Sequence, residues 1–495
     1  MAEMKQGGIV PEERPQPGDL GDLDPELMRR YGHDVVDWIA DYLADPEVFD
    51  VFPRTKPGDV RAELPASPPE HGEDMDSILD DFKQLIAPNM THWNHPGFMA
   101  YFSSSGSGPG IIAEMLTAAL NVNAMLWRTS PAATELEQVT LEWLKQMLGL
   151  PGSFDGSLVD GASMANFLAI AAAREWAGIG IREQGMSGRA DLARLTLYTS
   201  VQAHSSMEKG AITAGLGRES VRAIATDDAF RMDPGALDAA VLADIKAGHR
   251  PLFVGATVGT TSTGSIDPVS AIAEIAARHS LWLHVDGAYG GTAALLPEQR
   301  HILDGLEGAK SFVMNPHKWM FVPIDCSAFY TSEPAVLKRA FSLIPEYLRT
   351  TEGDAGVRDY MDYGVQLGRR FRALKLWFVI RAFGVEGLRA RVREHLRLAE
   401  LFAARVEETD GFDLTAPVSL SVVCFRFNPG RLEEAQLAQL NQRLMDHVNA
   451  SGEVFISHTS LNGRYTLRVQ FSQLRQQERH VERAWELISE AAKAL

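Results

Sequence analysis

Between about residues 155 and 335 the chain alternates short apolar runs with stretches of helical spacing. The periodicity predicts strands at Leu195–Thr199, Val221–Ala225, Leu252–Val258, Leu281–Val285, Ser311–Met314 and Ser327–Tyr330. Helices are expected at Met164–Trp176, Ser206–Ala214, Pro234–Ala247 and Ala271–His279. Strands that are apolar throughout must be covered on both faces, and helical crossovers supply that cover. The pattern therefore predicts an α/β fold with a mostly parallel sheet. Ligands of such sheets lie outside the carboxyl ends of the strands, so the polar residues that follow each strand carry the chemistry.

Those residues are distinctive. Ser311-Phe312-Val313-Met314 runs into Asn315-Pro316-His317-Lys318-Trp319, which presents an amine at the mouth of the sheet. A desolvated lysine loses its proton more readily and can form a Schiff base with a carbonyl cofactor. Asp286 directly ends an apolar strand, where a carboxylate is costly without a cationic partner. His204 follows another strand, able to act as acid, base or ring-stacking partner. Gly259-Thr260-Thr261-Ser262 places hydroxyls after a third. Asp160-Gly161-Ala162-Ser163 precedes an Ala-rich helix and reads either as an anion site at the positive helix end or as an ordinary N-cap. No P-loop lysine and no GxGxxG accompanies it, which argues against a nucleotide. An anion-binding helix start, a stacking histidine, a strand-end acid and an amine are together what pyridoxal phosphate requires: a grip on its phosphate, an acid for its ring nitrogen and a lysine for its aldehyde.

The flanks are different in kind. Residues 1–24 are rich in acids, Pro and Gly and read as a loose or disordered tail. Order is expected to begin at Asp24-Pro25-Glu26, an N-cap with Pro at the first helical position, and an amphipathic helix follows through Val35, Ile39 and Leu43. A second helix spans Asp76 to Ile86, after a Pro-rich connector at 54–70. Such helices, without a core of their own, either pack within the chain or clasp a partner subunit. His92-Trp93 and Tyr101-Phe102 lie beside a Ser/Gly loop that could wall a pocket. Past residue 375 helices dominate, with strands expected at Val418–Phe427 and Tyr465–Phe471, giving a small α+β domain.

Composition narrows the class. The 495 residues exceed a single core, and a net charge of −18 argues against nucleic acid or an anionic membrane as a partner. Cys326 and Cys424 stand far apart, so neither a disulfide framework nor a metal site is expected, and the reducing cytoplasm is the natural compartment. No signal peptide is apparent and no stretch is long and apolar enough to span a bilayer.

The motifs His92-Trp93, Ser130-Pro131 with Thr134-Glu135-Leu136-Glu137, Gln202-Ala203-His204-Ser205-Ser206, His284-Val285-Asp286-Gly287-Ala288-Tyr289, Asn315-Pro316-His317-Lys318-Trp319 and Leu367-Gly368-Arg369-Arg370-Phe371 occur in fixed order. In this the chain, over about 25–490, resembles the group II pyridoxal-phosphate decarboxylases, and among them the aromatic L-amino acid decarboxylases. The resemblance implies the type I aminotransferase fold: a seven-stranded mostly parallel sheet in a large domain (91–375), a small C-terminal domain (376–495) and an N-terminal segment (25–90) that clasps the partner of a homodimer with sites at the interface. It implies that Lys318 holds the cofactor, His204 stacks on its ring, Asp286 pairs with the ring nitrogen, Ala288 lies beneath and Thr261 close by. Ala162, Ser163, Ser311 and Asn315 would hold the phosphate, with His317 against it. Tyr347 matches the mobile-loop tyrosine that returns a proton to carbon.

The resemblance further implies an aromatic amino acid as substrate (Trp, Tyr, Phe or dihydroxyphenylalanine), met by Trp93, Tyr101, Phe102, Ser104, Met125 and Gly368. Ser103-Ser104 stands where the animal enzymes have Pro-Thr, and Met125 where they have Phe, so the substrate end is reshaped. Two alternatives remain open: an aromatic acetaldehyde synthase, in which the loop tyrosine is usually Phe, and a decarboxylase of histidine or a non-aromatic substrate. Gly368, with no side chain, leaves room for a broad ring.

Overall fold

The computed structural model describes residues 21–343 and 357–495. Seven strands form the main sheet: β1 (Asp155–Val159), β2 (Leu195–Ser200), β3 (Val221–Ile224), β4 (Arg250–Thr257), β5 (Trp282–Asp286), β6 (Ser311–Met314) and β7 (Ser327–Thr331). Their order is β1-β7-β6-β5-β4-β2-β3. The pairs β2/β3, β2/β4, β4/β5 and β5/β6 are parallel, whereas β7 runs antiparallel to both β6 and β1. The inner parallel strands β2, β4, β5 and β6 are almost wholly buried, as helical crossovers on both faces demand, and the edge strand β3 is only partly so.

A second, antiparallel sheet has the order β10-β11-β9-β8, built from β8 (Phe412–Leu414), β9 (Val422–Phe427), β10 (Ser457–Leu461) and β11 (Arg464–Gln470). The helix Arg372–Glu408 ties the two sheets. Its earlier residues Leu376, Val379 and Val392 enter the core of the large sheet, and Leu398, Phe402 and Val406 enter the core of the small one. Gly384, at φ 64, breaks the helical run in a left-handed conformation that suits glycine. The segment before residue 108 also reaches the small sheet: Met99 lies in its core and Gly97 O accepts from Phe455 N at 2.9 Å.

Residues 49–54 and 90–495 form one compact unit, and 21–48 with 55–89 belong to another. In the latter, Asp24 caps the helix Pro25–Ala44 by accepting from the Glu26 and Leu27 N–H groups, with Pro25 at the first position. Trp38 stacks on Tyr42 and meets Phe82 edge-on, and Arg30 pairs with Asp76.

Two motifs singled out in the sequence meet in the fold. Arg369 donates to Glu137 at 2.7 and 3.2 Å, both side chains buried, and Glu137 also accepts from the Leu158 N–H. The pair locks the helix Pro131–Leu148 and the start of Arg372–Glu408 to β1.

Candidate active site

Strand β6 ends at Met314, and Asn315 opens a single helical turn, Pro316–Trp319. The Asn315 N–H donates to Ala288 O at 3.1 Å and its side-chain oxygen accepts from Ser327 Oγ at 2.8 Å, so the turn is pinned to both neighbouring strands. Lys318 thereby emerges beside the end of β5. Burial disfavours its charged form and lowers its pKa, with Asp286 opposing and Arg468 adding to the shift.

Asp286 is buried with no ion pair among the described residues, Ala288 N–H donating to Oδ1 at 3.0 Å and Asn166 Nδ2 to Oδ2 at 3.0 Å. Asn166 is the centre of a directed chain of hydrogen bonds. His284, held neutral by burial with a pKa of about 4, donates from Nε2 to Asn166 Oδ1 at 2.9 Å. Its Nδ1 must then accept from Ser311 Oγ at 2.8 Å, and Ser311 in turn accepts from Trp282 Nε1 at 2.8 Å. At the other end Asn166 Nδ2 donates to Ser206 Oγ at 2.8 Å, which leaves the Ser206 proton for His204 Nδ1 at 2.8 Å. The chain fixes the His204 proton on Nε2. Desolvation lowers the His204 pKa and keeps the ring neutral.

The helix Ala162–Trp176 starts from the extended residue Gly161, and no side chain caps it. Its first N–H groups have no intrahelical acceptor, and Ala162 and the exposed Ser163 sit among them. Asn166, one turn further on, ties this start to Asp286. His317 Nδ1 is held by the Cys326 backbone, 2.8 Å from its O and 3.1 Å from its N, and burial together with Lys318 pushes the ring's pKa down to about 4. Its Nε2 lies 3.5 Å from Asn315 Nδ2.

Ser311 corrects an expectation. It opens β6, as the predicted strand has it, but is wholly buried, and its hydroxyl is taken by His284 and Trp282. A residue at the amino end of a strand lies on the far side of the sheet from the ligand mouth, so Ser311 supports the site from beneath and does not grip a phosphate. Thr261 is exposed in the turn after β4, and Thr260 and Thr263 hydroxyls tie that turn together at 2.9 Å.

Aromatic rings wall the amine. Phe102 stacks on Tyr289 at 3.8 Å and Tyr289 on Trp319 at 4.7 Å. Trp319 Nε1 donates to His395 Nδ1 at 2.9 Å, and Tyr289 bonds Ser421, so both inner rings are anchored. Lys318 Nζ stands 5.1 Å from the centre of Phe102, and the guanidinium of Arg468 stands 4.8 Å from it. Trp93 and Tyr101, both exposed, stack at 6.3 Å, and Ser104 is half-buried close to them in sequence. Met125 and Gly368 make their contacts in another neighbourhood: Met125 packs with Leu126 and Met361, and Gly368 lies beside Asn123. Tyr347 falls outside the described residues. Asn166 and Arg468 were not singled out from sequence. A polar residue deep in an Ala-rich helix was the only signal for the first, and an arginine inside an apolar strand for the second.

These groups suit one cofactor. The buried, unpaired Asp286 carboxylate asks for a cation, which a protonated pyridine nitrogen supplies. The uncapped helix start asks for an anion. Lys318 offers a desolvated amine to an aldehyde. Among the described residues no cluster of His, Cys, Asp or Glu could hold a metal, and no helix is long and apolar enough to cross a membrane. The class defined by sheet and site together is that of the pyridoxal-phosphate enzymes with the type I architecture.

Comparison with known proteins sharpens the class. Residues 57–428 match the model of the pyridoxal-dependent decarboxylase conserved domain. Phenylacetaldehyde synthase of Arabidopsis thaliana is 40% identical over 485 residues, covering 96% of this chain and 98% of that protein. Tyrosine decarboxylase 1 of Narcissus pseudonarcissus is 38% identical over 492 residues, covering 96% and 94%. The crystal structure of Oryza sativa TDC with PLP and tryptamine superposes with a TM-score of 0.92 at 38% identity, over 97% of this chain and 99% of that one. The chain belongs to the pyridoxal-dependent decarboxylase family, and its cofactor is pyridoxal phosphate.

Proposed function

We propose that this protein converts an aromatic L-amino acid, among Trp, Tyr, Phe and dihydroxyphenylalanine, to the corresponding amine and carbon dioxide. The observation that carries the reading is the desolvated Lys318 amine beside the buried Asp286 carboxylate, facing an aromatic wall. The similarity to a tyrosine decarboxylase and to a structure that holds tryptamine supports the aromatic class. When bound, pyridoxal phosphate supplies the electron sink for loss of the carboxylate. Lys318 Nζ would be the group that holds its aldehyde and makes way for the substrate amine. Asp286 would keep a proton on the ring nitrogen, and neutral His204 would stack on the ring. The Ala162–Ser163 helix start, Asn315 and His317 would hold the phosphate, with Thr261 and Ala288 beside the ring. Trp93, Tyr101, Phe102 and Ser104 orient the substrate, and Tyr347 returns a proton to its carbon after carbon dioxide leaves.

We further propose a cytoplasmic homodimer divided as tail (1–24), clasping segment (25–90), large domain (91–375) and small domain (376–495). Ile112, Met115, Leu116 and Leu120 expose one apolar face of the helix Gly108–Leu120, and Met28 and Val36 are exposed on Pro25–Ala44. Such faces fit a subunit interface. Met125 and Gly368, which sit apart from the Lys318 group, would then complete the partner's pocket. Two buried free cysteines fit a reducing compartment.

The similarity to phenylacetaldehyde synthase favours a second reading, oxidative conversion to the aldehyde. Tyr347 in place of the phenylalanine usual in such enzymes speaks for the amine. Purified enzyme is to be given Phe, Tyr, Trp, dihydroxyphenylalanine and His, with amine, aldehyde, peroxide and ammonia measured. Amine from the aromatic substrates without peroxide is expected. Stoichiometric peroxide and ammonia would overturn the decarboxylase reading, and His as the preferred substrate would overturn the aromatic one. Tyr347→Phe is expected to lower amine formation by ~10²-fold or more while sparing cofactor binding, the loss typical of removing a general acid.

A further inference from the structure

Four buried arginines lie in the larger unit, and three have carboxylates. Arg369 pairs with Glu137, Arg372 with Asp325 and Arg426 with Glu434. Arg468, in the middle of β11 and 3% exposed, has none among the described residues. Its Nη1 donates to Tyr101 O at 2.6 Å and its Nε to Ser262 O at 3.1 Å, both neutral carbonyls, and Nη2 finds no partner among the described residues. Burying an uncompensated guanidinium is costly, and a residue that served only to tie two loops would be less costly without the charge. The charge stands over the Phe102 ring, 4.8 Å from its centre, and the same ring carries Lys318 Nζ at 5.1 Å.

We propose that Arg468 is a positioning residue of the lysine site, whose fixed charge repels a proton from Lys318 Nζ while its N–H groups clamp Tyr101-Phe102 to the turn after β4. Four groups face Lys318. Asp286 at the end of β5 favours the proton, Arg468 on β11 opposes it, and His204 and His317 are both kept neutral by burial. Arg468 is thus the lone permanent cation in that set, and it offsets Asp286, which would otherwise hold the amine charged. Two cations in a buried site at this range interact by enough to move a pKa by about one unit. The role deepens the proposed function and rests on it, because it matters only if Lys318 is the group that binds the cofactor.

The test is the pH titration of the bound cofactor's absorbance in the parental holoenzyme and in Arg468→Gln, Arg468→Met and Arg468→Lys. Glutamine keeps a donor for the clamp, methionine keeps bulk and lysine keeps charge. The midpoint is expected to rise by about one pH unit in the Gln and Met variants and to stay near the parental value in Lys. Either neutral variant, folded by near-ultraviolet circular dichroism, suffices for the comparison. A parental midpoint in a folded neutral variant would overturn the role, as would a Lys variant shifted as far as Gln, since that would leave only the clamp. A Lys318→Ala variant that keeps the parental cofactor band and its titration would overturn the cofactor-binding role of Lys318 itself.

Discussion

Replacing Asn166 by alanine removes the one residue that joins the helix start, Asp286, His284 and His204. Its amide donates to a carboxylate at 3.0 Å and to Ser206 at 2.8 Å and accepts from His284 at 2.9 Å, all in the buried interior. The charge-assisted bond is worth ~2 kcal/mol, the Ser206 bond ~1 kcal/mol, and the stranded His284 N–H costs ~1–3 kcal/mol. Alanine returns ~0.5 kcal/mol through its higher helix propensity. The balance is a loss of about 4 kcal/mol. It is to be read in urea at saturating cofactor, as the difference in midpoint multiplied by the slope common to parent and variant. Asn166→Asp gives a second reading of the same geometry. A carboxylate set about 3 Å from Asp286 cannot ionise alongside it, so one of the pair takes a proton. The ring nitrogen then loses its partner, and cofactor affinity is expected to fall at least tenfold. An Asn166→Ala protein within 1 kcal/mol of the parent would refute the idea that this amide holds the site together.

Three other outcomes are expected. Gly287→Ala would bring a Cβ to 2.6 Å from the Phe312 ring, next to Asp286, costing ~1–3 kcal/mol and weakening cofactor binding in an equilibrium titration. Glu137→Gln would strand the buried Arg369 charge, and a loss of ~3–5 kcal/mol should appear as a lower Tm with cofactor present. Acid should destabilise the fold between about pH 6 and 4: His284, His317 and His395 are held near 4 by burial, so only the unfolded chain takes their protons below its own value of ~6.5, and their contribution is lost as pH falls. Asp267, pushed up to about 6, takes its proton first in the folded state and offsets one of the three, leaving a net slope of about two protons, ~2.7 kcal/mol per pH unit. Urea midpoints that stay level or rise from pH 6 to 4.5 would contradict that assignment.

The parts of the fold legible in the sequence are those governed by strand ends. β2 to β7 were anticipated to within two residues at each end, and Lys318, Asp286 and His204 follow β6, end β5 and follow β2, as the strand-end rule requires. β1 was missed, because Asp155-Gly156-Ser157 carries no apolar run and forms a strand only by pairing antiparallel with β7. β8 and β10 were missed because one is three residues long and the other reads Ser-His-Thr-Ser-Leu. The phosphate role that the resemblance implied for Ser311 fails on the same strand-end rule, because a strand carries its two ends to opposite edges of the sheet and Ser311 stands at the start of β6. Asn166 and Arg468 escaped because their meaning is tertiary. An asparagine in a helix and an arginine in a strand are ordinary until the partners that they hold, or lack, are known.

The hydrogen bonds running from Trp282 to His204 have a direction, and direction constrains how the sequence can drift. The Asp286 carboxylate can only accept, so Asn166 must donate to it and to Ser206 and accept from His284, and the outer links inherit their sense from that one. A single change at Ser311, far beneath the ligand mouth, leaves the His284 Nδ1 without its donor, while His204 keeps its proton on Nε2 through the Ser206 N–H. Neighbouring members can therefore exchange only in compatible sets, with the intermediate single change disfavoured. Residues on the blind side of the sheet should then diverge among descendants of this enzyme as slowly, and as jointly, as those that face the substrate.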